Sequence, residues 1–169
     1  AQKLSRNFCN LCDMVTVPTG VIAGYLHEIG VKTPIKIVPS GINTAEYKKG
    51  YNKWLQQKFN VPPDSKVLLF VGRLGQEKNI PFLLESFKLI KSEIDESILV
   101  IVGRGPEEEE LKKMTAELGL KDSVIFTGNL APADVINCYA GSHLFVFPSV
   151  TETQGLVIIE AKAAGLPVV

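Results

Sequence analysis

Two uninterrupted apolar runs, Val67-Leu68-Leu69-Phe70-Val71 and Ile98-Leu99-Val100-Ile101-Val102, constrain the fold more than any other feature of the chain. A strand with one wet face alternates apolar and polar residues. A run that is apolar at every position belongs to a strand covered on both faces, the habit of parallel sheets. Between the two runs, Ile80, Leu83, Leu84, Phe87 and Ile90 recur at helical spacing, with Pro81 in the first turn. Asn79 is expected to cap that helix.

The same alternation extends along most of the sequence. Short strands are expected at Met14 to Pro18, Ile35 to Val38, Val124 to Thr127, Leu144 to Phe147 and Leu166 to Val169. Helices are expected over Val21 to Ile29, with apolar residues at 21, 22, 25, 26 and 29 and Gly30 as the stop. Further helices are expected over Tyr47 to Phe59, with Trp54 and Leu55 as anchors, after Gly105-Pro106, over Pro132 to Tyr139, and after Gly155. The pattern predicts an α/β fold with a doubly wound parallel sheet. Ligands bind such sheets at the carboxyl ends of the strands. The glycine-rich and polar segments Gly72 to Asn79, Gly103 to Pro106, Gly128 to Pro132 and Ser149 to Gly155 are expected there.

Charge is balanced at 18 basic and 18 acidic residues, which gives no electrostatic case for nucleic acid. No apolar run approaches the ~18 residues of a membrane span, and the first ten residues do not read as a signal peptide. Cys9, Cys12 and Cys138 are an odd set, so a disulfide framework is not expected and packing as small apolar residues is. The lone C-x-x-C lacks further ligands at zinc spacing. His27 and His143 read as surface and capping or packing residues. The acidic run Glu107 to Glu110 complements a helix N-terminus.

Chemistry concentrates in Pro148 to Gly165, P-S-V-T-E-T-Q-G-L-V-I-I-E-A-K-A-A-G. Glu152 falls on a loop and Glu160 on the helix after Gly155, roughly 7 Å further along its axis at ~1.5 Å per residue. They cannot clamp one atom, but they suit two ends of an extended anionic ligand seated on a helix N-terminus. The helix is apolar most of the way round, which predicts burial and hence a partner for Glu160. Ribose or sugar hydroxyls would serve, and so would Lys162 or a position near the surface. Arg73 and Lys78 flank the turn of V-G-R-L-G-Q-E-K-N, a fork and a point charge suited to a diphosphate or to solvated surface. The P-loop spacing is absent, and Gly103-Arg104-Gly105-Pro106 is an incomplete dinucleotide fingerprint, better read as a tight turn for close helix packing.

Taken together, I-V-P-S-G-I-N, V-G-R-L-G-Q-E-K-N, I-V-G-R-G-P, F-T-G-N-L and P-S-V-T-E-T-Q-G-L-V-I-I-E-A-K-A-A-G-L-P-V-V resemble the nucleotide-sugar-binding half of a retaining family 4 (group 1) glycosyltransferase. The resemblance implies the Rossmann-like half of a GT-B fold over 35–169, incomplete at its C-terminal end. Residues 1–34 would be the tail of a preceding acceptor domain and linker. Arg73 and Lys78 would bind the donor diphosphate and help it leave. Glu152 would contact the donor sugar, and Thr153, Gln154, Gly155 and Leu156 would cradle sugar and phosphate. Glu160 would hold the ribose. Gly128, Asn129 and Leu130 would lie near the base, with Gly72 and Gly103 shaping neighbouring loops.

The resemblance further implies transfer of a hexose from a nucleotide sugar, UDP-glucose by expectation, with no metal or other cofactor. The wording T-E-T-Q-G-L-V and F-C-N-L-C-D is similar to glucosyltransferases acting on diacylglycerol, so a lipid acceptor and a cytoplasmic protein at the membrane periphery are implied. Gln154 departs from a position often aromatic in the family. This stretch alone is expected to bind nucleotide weakly and not to transfer sugar. A non-catalytic binding module of the same fold is the other reading, and a dehydrogenase-type domain is disfavoured by the incomplete G-x-G-x-x-G.

Overall fold

The computed structural model describes residues 2–169, so Ala1, the first residue of the 1–34 segment, lies outside it. The chain forms two compact units. The first takes the residues up to Ile42 together with Glu152–Leu156. It contains α1 (Gln2–Cys9), β1 (Val15–Val17), α2 (Gly20–Glu28) and β2 (Ile35–Ile37). The two strands run parallel, with Val15 opposite Ile35. Thr19 caps α2 by accepting from the Ile22 amide at 3.3 Å, and Gly30 ends it at φ 89°. The apolar face expected on α2 is not buried: Val21 is 81% and Tyr25 42% exposed. Two three-residue strands are too narrow to cover it.

The second unit takes Asn43–Thr151 and Val157–Val169. Its elements are α3 (Thr44–Tyr47), α4 (Trp54–Phe59), β3 (Lys66–Val71), α5 (Ile80–Glu93), β4 (Ser97–Val102), α6 (Glu108–Glu117), β5 (Val124–Gly128), α7 (Pro132–Ala140), β6 (Leu144–Phe145) and, after its first residue, α8 (Leu156–Ala163). All four strands are parallel in the order β5-β4-β3-β6. The chain therefore starts at β3, steps outward through β4 to β5, and crosses back to β6. Val168 adds a single parallel bridge to Phe145.

Side-chain alternation assigns the two faces. Leu68 and Phe70 of β3 and Leu99 and Ile101 of β4 enter one core with α5 and α6 residues Leu84, Phe87 and Leu111. Val67, Leu69, Ile98 and Val100 enter a second core with Leu55, Tyr139 and Ala161 of α4, α7 and α8. Each large apolar side chain buried this way contributes roughly 1.5–3 kcal/mol. Helices cover both faces, so the sheet is doubly wound as expected.

Several local expectations are corrected. The helix expected over Tyr47 to Phe59 is broken between α3 and α4. A Cβ at Gly50 would lie 2.5 Å from Ala140 Cβ, and the Tyr51 amide donates to Asn137 Oδ1 at 2.8 Å. Close packing on α7 thus fixes a non-helical turn there. Asn79 precedes α5 but caps nothing with its side chain; it stands at φ 50°, ψ 40° and closes the 3-10 turn Gln76–Lys78. Helix α8 is not buried all round: Ala161 is its one buried residue and Ile159 is 39% exposed. Cys138 is buried as expected, whereas Cys12 is exposed.

Candidate functional site

The carboxyl ends of β3, β4 and β5 frame a pocket of about 310 Å³. It is lined by Val71, Gly72 and Arg73 after β3, by Val102, Gly103 and Arg104 after β4, by Asn129 and Leu130 after β5, and by Val135 of α7. Five of the residues singled out from the sequence therefore come together here: Gly72, Arg73, Gly103, Asn129 and Leu130. Their convergence follows from the sheet order, because parallel neighbours deliver their following loops to one edge.

The loops interlock through backbone bonds. The Gly72 amide donates to Val102 O at 3.0 Å, the Leu74 amide to Arg104 O at 3.0 Å, and the Gly103 amide to Gly128 O at 3.0 Å. Glycine is required at two of these crossings. A Cβ on Gly103, at φ 128°, would stand 2.0 Å from Gly72 O, and one on Gly105 would stand 2.2 Å from Leu74 O. The G-R-G-P turn is thus a steric device for close packing, as its sequence suggests.

Arg104 was missed as a site residue. Its guanidinium lies across Gly128, where an added Cβ would come within 3.1 Å of Nε. The signal was available: it follows the second sheet strand at the same edge as Arg73. Two arginines lining one pocket suit an anionic or hydrogen-bond-accepting ligand.

Lys78 ends the 3-10 turn after β3, with Nζ 5.8 Å from the centroid of the Phe147 ring. Phe147 follows β6 on the opposite side of β3, and the Val150 amide donates to Glu77 O at 3.1 Å. The loops after β3 and β6 therefore meet where the strand order reverses, which is where doubly wound sheets bind ligands.

Glu160 projects from α8 and accepts a hydrogen bond from the Tyr139 hydroxyl of α7 at 2.9 Å. Tyr139 is 1% exposed, and its ring meets Tyr47 edge-on at 6.0 Å. Burial, then the Glu160 charge and a hydrogen bond to it, push the Tyr47 phenol up to about 12. Burial first and Glu160 second also raise the Tyr139 phenol. The hydrogen-bond partner of Glu160 is thus Tyr139, with Tyr47 packed beside it, not Lys162. No local signal links residues 21 positions apart. His143 Nδ1 accepts from the Val67 amide at 3.1 Å, and burial, then Lys66, lowers its affinity for a proton.

Glu152, Thr153, Gln154, Gly155 and Leu156 belong to the first unit. Glu152 Oε1 accepts from the Thr153 amide at 2.8 Å, so that N–H is already engaged. Gln154 Nε2 donates to Ser40 O at 2.9 Å, and Thr19 Oγ1 to Thr153 O at 3.4 Å. Gly155 turns the chain into α8 at φ 65°.

Comparison with known proteins gives this arrangement its family. The family model described as "Glycosyl transferases group 1" matches residues 52–169. The chain belongs to that family. Alpha-monoglucosyldiacylglycerol synthase of Streptococcus pneumoniae is 34% identical over 98% of this chain and 39% of its own length. Sucrose-phosphate synthase from Thermosynechococcus elongatus superposes with a TM-score of 0.84 at 27% identity, over 99% of this chain and 42% of its own. Anabaena HepE, crystallised in complex with UDP-glucose, shares the fold with a TM-score of 0.88 at 22% identity, over 99% of this chain and 47% of its own. The chain therefore spans about two fifths of the curated relative's length, and the glycosyl transferases group 1 model covers the whole doubly wound sheet.

Proposed function

We propose that this chain is the donor-binding part of a metal-independent, retaining glycosyltransferase that moves a hexose from a UDP-linked donor to an acceptor, a membrane lipid in the first instance. The observation that carries the reading is the pocket at the carboxyl ends of β3, β4 and β5, with Arg73 and Arg104 in its wall. In this reading Arg73 and Lys78 hold the diphosphate and stabilise the charge that develops as it departs, the task a metal ion performs elsewhere. Asn129 and Leu130, with the Gly128 backbone, receive the base. Glu160 takes the ribose and Glu152 the sugar hydroxyls. Gly72 and Gly103 shape the neighbouring loops, while Thr153, Gln154, Gly155 and Leu156 cradle sugar and phosphate.

Same-face attack assisted by the leaving phosphate accounts for retention without a paired-carboxylate double displacement. Residues 1–34 close the acceptor domain, and the donor domain follows. The lipid acceptor is supported by the diacylglycerol named in the Streptococcus pneumoniae relative. No helix among the described residues is long and apolar enough to cross a membrane. A protein that meets lipid from the cytoplasmic side as a peripheral enzyme fits that reading.

Calorimetric titration of the chain with UDP, GDP and ADP, then UDP-glucose, tests the proposal. UDP binding that is lost in Arg73→Ala, with the fold retained, is the expected result. Equal weak binding of all three, insensitive to Arg73, would favour the binding-module reading. Transfer of glucose by the purified chain alone would overturn the assignment of transfer to the longer protein.

A further inference from the structure

We infer that Tyr139, with Tyr47 beside it, is a positioning residue that fixes the Glu160 carboxylate for the diol of a nucleotide ribose. The inference rests on the reading of Glu160 given above and adds what orients it. The Tyr139 hydroxyl lies 2.9 Å from Glu160 Oε2 and 3.4 Å from Val157 O. A phenol has one proton, and the shorter, charge-assisted contact takes it. The carboxylate is thereby held against the first turns of α8 at one oxygen.

Tyr47 of α3 stands edge-on to the Tyr139 ring at 6.0 Å, near enough that the Glu160 charge helps keep its phenol protonated. A carboxylate has acceptor sites only, about four of them. With the Tyr139 hydroxyl taking one of them, what remains can only accept. A ligand must therefore present donors there, as vicinal hydroxyls do and a phosphate does not.

The ring of Tyr139 is accounted for by packing, at 6.0 Å from Tyr47 and 5.7 Å from Phe145. A phenylalanine would pack equally well. Its hydroxyl is accounted for by polar contact with α8, the shorter one to the Glu160 carboxylate at 2.9 Å and the longer to Val157 O at 3.4 Å. Helix α7 also ties this pair to the pocket: Val135 lines it, and Tyr139 follows four residues later on the same helical face.

Calorimetric affinities for UDP and 2′,3′-dideoxy-UDP, measured on the wild-type chain and on Tyr139→Phe, Tyr47→Phe and Glu160→Gln, test the inference. The wild type should prefer UDP by about tenfold or more, the worth of hydroxyls bonded to a charged group. Tyr139→Phe should cut that preference roughly threefold or more while leaving the dideoxy affinity unchanged, the signature of lost orientation at the ribose alone. A preference that survives Glu160→Gln would show that Glu160 does not hold the ribose, and the inference would fall with that reading. A preference abolished by Glu160→Gln but intact in folded Tyr139→Phe would sink the positioning role and leave the ribose reading standing. Should Tyr139→Phe not fold, Tyr47→Phe decides: a reduced preference supports the clamp, and an unchanged one overturns it.

Discussion

Gly103 crosses Gly72 so closely that a single added methyl carbon would sit 2.0 Å from the Gly72 carbonyl oxygen. The φ of 128° at Gly103 makes the position strained for any other residue as well. Gly103→Ala should therefore destabilise the chain by the sum of a backbone strain of about 1–3 kcal/mol and a packing strain of similar size. Urea unfolding monitored by circular dichroism would check this. An alanine variant within about 0.5 kcal/mol of wild type, the range of ordinary surface changes, would show that the two loops separate freely.

The loop after β3 carries Arg73 and Lys78 in different settings, one in the pocket wall and one beside Phe147. If both grip a diphosphate, alanine at either should weaken UDP about 10-fold or more and leave uridine nearly unchanged, since each loses a charge-assisted hydrogen bond. Equal losses for nucleoside and diphosphate would place their contribution elsewhere.

Arg104 makes a separable prediction. Arg104 lines the pocket with its guanidinium against Gly128, while its backbone oxygen holds Leu74. Arg104→Ala keeps the backbone bond and removes the guanidinium, along with its exposed electrostatic contact to Glu108. Stability should stay within about 0.5 kcal/mol of wild type, and UDP affinity should fall. Thermal melting and calorimetry on one preparation separate the two effects, and unaltered affinity would remove Arg104 from the site.

Alkaline pH should loosen the fold. The Tyr47 phenol is raised from its ordinary value near 10 to about 12, by burial and then Glu160. The Cys138 thiol is raised from near 9 to about 12, by burial and then Asp134. Both groups lose protons more readily in the unfolded chain, so the unfolded state binds fewer protons in this range and stability falls as pH rises. Their contribution is complete below about 9 and is lost progressively up to about 12. The urea midpoint should drop between mildly and strongly alkaline buffer, and Tyr47→Phe should flatten the upper part of that decline. A midpoint constant across the range would contradict the burial of these two groups.

Much of this was legible in the sequence because it is local. The unbroken runs of β3 and β4 announce a strand buried on both faces, and the spacing from Ile80 to Phe87 announces the helix between them. What escaped depends on partners far along the chain. Gly50 breaks a helix because Ala140 stands against it, 90 residues away. Asn79 has the composition of a cap, yet the 3-10 turn before it sets its left-handed conformation. The buried partner of Glu160 was expected as a need, but nothing near Glu160 named Tyr139 as the group that meets it.

The first compact unit is completed by a strip of chain from far downstream: Thr153 and Gln154 accept and donate the bonds to Thr19 and Ser40. Order of synthesis then matters. Ribosomes add roughly 5–20 residues per second, so Thr19 and Ser40 emerge many seconds before the strip that finishes their unit. Until then the early residues wait unfinished, and a cut after Ile42 would release a piece that no longer carries its own closing segment.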